Sequence, residues 1–259
     1  MNKIIRGDCL DELPKLDSNS IDLIITSPPY WNLKDYNHLD QIGYNDDYPE
    51  YINKLKKVFT ECYRVLKDGC RMCINIMDIP TSTKLTGRHR IIPLHSDVIN
   101  ICTDIQFDYM GCIFWHKFNN IRSSGGSIMM GSYLFPRNGV VKVFNEFILI
   151  FKKLGKPEKV SKEIKEQSIM TNEEWKQYFY GNWHIAGIRQ NKNHSATFPK
   201  EIPHRLIKMY SFIGETILDP FVGSGTTMKV ANKLNRNSIG IEINYDYCDD
   251  IKNYFDCMI

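Results

Sequence analysis

Residues 21–25, Ile-Asp-Leu-Ile-Ile, form a short β-branched run that two prolines cut off, and this junction constrains the chain more than any other stretch. Such a run reads as a buried strand. Pro28 and Pro29 bring no N–H to a ladder, so the strand ends before them. The sequence Thr26-Ser27-Pro28-Pro29-Tyr30-Trp31 then puts a hydroxyl, carbonyls turned off the sheet and two aromatic rings at one strand end. That surface accepts hydrogen bonds from an amino group while Tyr30 stacks on a flat ring, as a site for an extruded base requires. Taken alone, the stretch reads equally well as a proline turn carrying two core aromatics.

The chain has 259 residues, 42% of them hydrophobic, enough for one well-buried α/β core. Its apolar runs are too short to span a bilayer. The N-terminus enters a strand-like run without the long apolar region of a signal peptide, so the expected location is the cytoplasm. The 8 cysteines are then expected as thiols. Cys70 and Cys73 form a CxxC, but no second pair follows at finger-like spacing. They also lie in a strand-like run, which turns them to opposite faces, and no metal is expected.

The remaining pattern alternates strands with helices. Residues 51–66 repeat apolar positions at helical spacing, with Asp47 as cap, Pro49 in the first turn and Gly69 as the stop. Strands are expected over 70–77, 107–116, 140–152, 216–221 and 238–243, and helices over 93–103, 199–212, 226–234 and 246–255. Alternation of this kind predicts a mostly parallel sheet with helices on both faces. Residues 32–47 are polar and aromatic without period, an ordered loop over a site. The net charge of +3 does not announce nucleic acid, yet residues 152–208 hold 12 Lys and Arg against 6 Glu. That excess reads as a phosphate-tracking surface or as a solvated face.

A second junction lies far along the chain. Asp219-Pro220-Phe221-Val222-Gly223-Ser224-Gly225 joins a strand to a helix, and Glu242 ends the next strand. Glycines there let backbone approach a ligand, and an acid about twenty residues on binds ribose hydroxyls in dinucleotide folds. Met228 occupies the position of the third fingerprint glycine, and no G-K-[ST] follows, so neither a dinucleotide fingerprint nor a P-loop is complete. Asp219 would repel a pyrophosphate, whereas a cationic sulfonium tolerates it, which favours S-adenosylmethionine over NAD.

Together, Thr26–Tyr30 and Asp219–Gly225 resemble the catalytic and cofactor motifs of DNA amino-methyltransferases. The catalytic motif comes first and the cofactor motif near the C-terminus, the permuted order that resembles their β group. The resemblance implies a Rossmann-like methyltransferase fold, with a mostly parallel seven-stranded sheet in one catalytic domain. It implies a small target-recognition insertion at about 153–193, with 119–139 as a further candidate. By the same resemblance, Ser27, Pro28, Pro29 and Tyr30 hold the target base. Asp219, Pro220, Phe221, Gly223, Ser224 and Gly225 shape the cofactor pocket, Glu242 binds the ribose, and Asp8, after Gly7, reaches the adenine side. Phe198 and Pro199, in a segment that begins near His194, line the cofactor's methionine or adenine end. The implied partner is double-stranded DNA; a cognate restriction endonuclease and a homodimer stay open.

Ser27 resembles the cytosine-N4 enzymes, whereas adenine-N6 enzymes usually carry Asp or Asn there. Cytosine N4 is therefore the expected target, with adenine N6 as alternative. Ring-carbon methylation is discounted because no Pro-Cys dipeptide occurs. A relative that binds nucleic acid without catalysis is a further alternative, opposed by the intact serine motif, glycine loop and Glu242.

Overall fold

A computed structural model describes residues 1–33, 35, 38–81, 83–118, 137, 141, 143, 145–188 and 198–257. Most of the 119–139 loop, and His194, lie outside the described residues. The strands are β1 (Asn2–Arg6), β2 (Ile21–Thr26), β3 (Leu66–Ile76), β4 (Ile79–Thr81), β5 (Arg90–Ile92), β6 (Asp108–Phe118), β7 (Asn145–Lys152), β8 (Asn182–Ala186), β9 (Thr216–Asp219) and β10 (Asn237–Glu242). The helices are α1 (Cys9–Glu12), α2 (Tyr48–Val65), α3 (Thr83–Thr86), α4 (Leu94–Asp104), α5 (Lys162–Gln167), α6 (Asn172–Tyr178), α7 (Glu201–Tyr210), α8 (Thr226–Lys233) and α9 (Tyr245–Asp256). None of them is long and apolar enough to cross a membrane.

All six residues of β2 are buried, as a central strand with both faces covered requires. Asp47 caps α2 by accepting the Glu50 N–H at 2.8 Å, and Tyr51, Leu55, Val58, Phe59 and Cys62 face the core. Gly69 does not stop this helix. α2 runs directly into β3, and Gly69 sits inside that strand at φ +73°, where an added Cβ would lie 2.5 Å from Pro157. Cys70 packs on one face of the sheet and Cys73 on the other, as the strand period demands.

The main sheet runs β1-β10-β9-β2-β3-β7-β6-β8. Among its described strands only β7 runs antiparallel to both its neighbours. The sheet has eight strands among the described residues rather than the expected seven, because Asn182–Ala186 adds to the far edge of β6. One face is covered by α1, α2 and α4, the other by α7 and α8. Chain winding reverses between β9 and β2, which pair through Leu23–Ile217 and Ile24–Leu218. Such a reversal leaves a crevice at the carboxyl ends of the two strands.

Within the segment at 153–193, the described residues 153–188 are woven into this body. Thr171 and Glu174 form a capping box for α6, and Glu174 also binds Lys208 of α7. Trp183 is 1% exposed and donates to the Tyr178 carbonyl at 3.1 Å, with the Arg205 guanidinium over both rings. Its basic first part lies at the wrong edge for the crevice. The Lys153 carbonyl accepts from Gly69 N–H, Lys67 pairs with Glu158 at 3.1 Å, and Ser168 accepts from Ile213 just ahead of β9. These contacts pin 153–168 to the amino ends of β3 and β9. Lys159, Lys162 and Lys165 are exposed there, remote from Ser27 and Glu242. Replacing all three by Gln is therefore expected to leave the salt slope of DNA binding unchanged, read from binding isotherms at several salt concentrations. A slope lowered by two or more would put DNA on this edge.

Candidate active site

Four strand ends build one cavity. Gly7, Asp8 and Cys9 follow β1; Ser27 and Pro29 follow β2; Pro220 to Ser224 follow β9; Glu242 and Ile243 close β10. The two motifs, about two hundred residues apart in sequence, thus share a wall because β2 and β9 are neighbours. Phe198 lines the same space from the approach to α7.

Glu242 shows how the wall is held. Its Oε2 accepts the Gly223 N–H at 2.8 Å and its Oε1 accepts the Asn244 N–H at 2.9 Å. Burial pushes its carboxyl above the usual range, against the pull of these N–H groups. A carboxylate offers about four acceptor sites, so capacity remains for a ligand's hydroxyls. Asp8 caps α1 by accepting the Leu10 N–H at 2.9 Å, and it also faces the cavity.

Asp219 stands behind the wall rather than on it, contrary to its expected place in the pocket. It is 2% exposed and accepts from Thr26 Oγ1 at 2.9 Å, Thr227 Oγ1 at 2.7 Å and Phe221 N–H at 3.1 Å. Burial pushes its carboxyl up to about 6 in spite of these donors. The two loop glycines also differ. At Gly223, φ +52°, a Cβ would meet open space beside the cavity, so close approach of backbone to a ligand is available there. At Gly225, φ +79°, a Cβ would lie 2.6 Å from Ile251 of α9. Its requirement is helix packing and a left-handed turn, not room for a ligand. Pro199, buried at the start of α7, is likewise off the wall, as are Pro28 and Tyr30.

The opening motif has its own scaffold. Tyr51 donates to the Pro29 carbonyl at 2.7 Å, and the Leu33 N–H to the Tyr30 carbonyl at 3.1 Å. Among the described residues the Pro28 carbonyl accepts no hydrogen bond. The Ser27 and Tyr30 hydroxyls lie 3.1 Å apart. Tyr30 in turn reaches Glu146 at 3.1 Å and Asn75 at 3.2 Å.

Asp40, Gln41 and Ile42 also line the cavity, from the loop that the sequence places over a site. Asp46 ties this loop down by accepting Gly43 N–H at 2.8 Å and Lys54 at 2.5 Å. Tyr247 completes the wall. Its position carries no sequence signal beyond an aromatic on an amphipathic helix. Charged groups on the wall are Asp8, Asp40 and Glu242, with no Lys or Arg among the described residues. This wall repels phosphates and favours a cation.

Two outcomes follow. Gly225→Val is expected to destabilise the protein by about 2–4 kcal/mol, from positive-φ strain and overpacking on Ile251. Urea unfolding measures it; unchanged stability would remove the packing assignment. Asp219→Asn removes a buried charge. The wild-type carboxyl holds its proton more tightly folded than unfolded, so protonation favours the fold. Wild-type stability relative to Asp219→Asn should therefore rise as pH falls from above 6 toward 4, read from paired unfolding curves. A pH-independent difference would contradict it.

Residues 21–253 match the model of the DNA methylase family N6_N4_Mtase. The type II methyltransferase M.MjaI of Methanocaldococcus jannaschii is 36% identical, the match covering 93% of this chain and 87% of that protein. A putative DNA modification methylase from Thermus thermophilus, solved complexed with S-adenosyl-L-methionine, superposes with a TM-score of 0.81 at 30% identity, covering 98% of this chain and 93% of that one. The cytosine-N4-specific PvuII DNA methyltransferase shares the fold, at TM-score 0.68 and 21% identity over 95% and 84%. With its permuted motifs meeting at one crevice, the chain belongs to the N6/N4 family of DNA methylases.

Proposed function

We propose that this protein transfers a methyl group from S-adenosylmethionine to the exocyclic N4 amine of cytosine in duplex DNA. The observation that carries the reading is the single cavity whose acidic wall continues into Ser27 and Pro29. The bound cofactor supplies a methyl group already activated by its sulfonium. Glu242 holds the ribose hydroxyls, and Asp8 and Asp40 add charge that suits the sulfonium and excludes a pyrophosphate, which disfavours NAD.

An exocyclic amine is a poor nucleophile because its lone pair is delocalised into the ring. Ser27 Oγ and the Pro28 carbonyl accept its N–H groups and draw them out of plane, restoring lone-pair character. Tyr30 supports the base by stacking, and Phe198 lines the cofactor end. The residues mainly position the reactants and stabilise charge. Cytosine is preferred to adenine on Ser27 alone.

Sequence reading belongs to segments anchored at the catalytic edge. β6 ends and β7 begins there, and β8 ends there as well. Residues 119–144 join the ends of β6 and β7, residues 187–197 follow the end of β8, and together they contain five Lys and Arg with no Asp or Glu. We assign phosphate and base contacts to them rather than to 153–178. The proposed setting is the cytoplasm. A cognate endonuclease or a homodimer is compatible with the chemistry, which needs neither.

Ser27→Ala is expected to lower single-turnover methyl transfer roughly 10–100-fold, the worth of one hydrogen bond to a charge-developing group, with cofactor affinity nearly unchanged. Product analysis should find the methyl on cytosine N4. A methyl on adenine N6 overturns the base assignment alone, and transfer at the wild-type rate removes Ser27 from the chemistry.

A further inference from the structure

Glu146 is a carboxylate in the wrong place for a strand core. It lies in β7 within Asn-Glu-Phe-Ile-Leu-Ile-Phe-Lys and is 5% exposed. Burying a carboxylate is costly unless every lone pair finds a donor. Three donors converge on it: the Lys117 ammonium from β6, the Asn75 amide N–H from β3, and the Tyr30 hydroxyl at 3.1 Å.

A carboxylate paired with an ammonium only accepts, and this fixes the direction of each bond around it. The Asn75 amide must point Nδ2 toward Glu146, which also lets it donate to Tyr30 Oη at 3.2 Å. Asn75 Oδ1 is turned the other way and has no partner among the described residues. Tyr30 has one hydroxyl proton, and the 3.1 Å contact with Glu146 takes it in preference to the Asn75 carbonyl at 3.4 Å. Toward Ser27 Oγ, at 3.1 Å, Tyr30 can then only accept. Ser27 must donate its single proton backward, and only lone pairs remain on the side that lines the cavity.

We infer that Glu146 is a positioning residue which, through Tyr30, locks Ser27 as a pure hydrogen-bond acceptor facing the target amine. The inference rests on the proposed amine methylation. It also explains why a serine suffices at position 27. An aspartate is an acceptor by its own charge, whereas a serine hydroxyl rotates and can donate. With serine, acceptor character has to be imposed from behind, and the Glu146–Tyr30 chain imposes it. Tyr30 thereby gains a role through its hydroxyl that is separable from stacking by its ring.

Tyr30→Phe tests this without disturbing the buried Glu146–Lys117 pair, because it keeps the ring and removes only the hydroxyl. Single-turnover methyl transfer, with enzyme in excess over duplex DNA, is expected to slow about tenfold, while affinity for S-adenosylmethionine and for DNA stays within twofold. In the Ser27→Ala background the same change should cost less than twofold, since no serine proton is left to direct. Glu146→Gln should slow transfer like Tyr30→Phe, and the two together should be no worse than either alone. Should Glu146→Gln fail to fold, the Tyr30 and Ser27 cycle decides by itself. Wild-type rates in Tyr30→Phe, or an undiminished tenfold loss in the Ser27→Ala background, overturn the inference. The parent reading fails separately: wild-type protein would then transfer no methyl to a DNA amine, or Ser27→Ala would transfer at full rate.

Discussion

One buried carboxylate ties the two halves of the site together. Asp219 ends β9, yet its oxygens are bound by Thr26 at the end of β2 and by Thr227 in the first turn of α8. It also accepts the Phe221 N–H, which bends the loop away from the strand. Ser27 follows Thr26 directly, and the wall loop lies between Asp219 and Thr227. The loop after β2 and the loop after β9 are therefore indexed to the same pair of oxygens. The cost is a carboxyl whose ionised form is disfavoured by burial, accepted where three donors meet it.

Everything else at the crevice depends on that registration. β10 brings Glu242 beside β9, and Glu242 in turn holds Gly223 by its backbone. Ile251 of α9 presses against Gly225, so the last helix sets the shape of the turn from outside. The loop of residues 38–47 closes over the far side through Asp46 and the buried Trp31, whose indole donates to the Asp46 carbonyl at 2.9 Å. Among the described residues the cavity wall carries acidic groups and no basic ones. The site therefore selects for the charge of its ligand before any specific contact is made.

Much of this was legible from residues alone. Period-2 and period-3.6 patterns located α2, α4, α7, α8, α9 and most strands of the sheet. The two prolines after Ser27 and the glycines after Asp219 marked the two loops that meet at the cavity, because proline and glycine act on the backbone where they stand. Boundaries slipped where a local rule met a tertiary one. Gly69 reads as a helix stop, but its positive φ serves a strand pressed against Pro157. β8 was missed because Asn-Trp-His-Ile-Ala, although it alternates, is only five residues long, and its pairing with β6 is non-local.

What the sequence determined by itself, then, is the alternating α/β class, the order of the two motifs and the residue types available to them. Local backbone chemistry and periodicity suffice for those. Only the tertiary structure decided which side of each residue counts. It turned Asp219 inward as a tie, gave Gly225 to Ile251, and sent the lysines of 153–168 to the edge opposite the crevice. It also gathered Glu146, Asn75 and Lys117 behind Ser27 from three different strands. Such assignments depend on which strands become neighbours and which ends they share, and contacts between residues far apart in the chain leave no period for a sequence pattern to reveal.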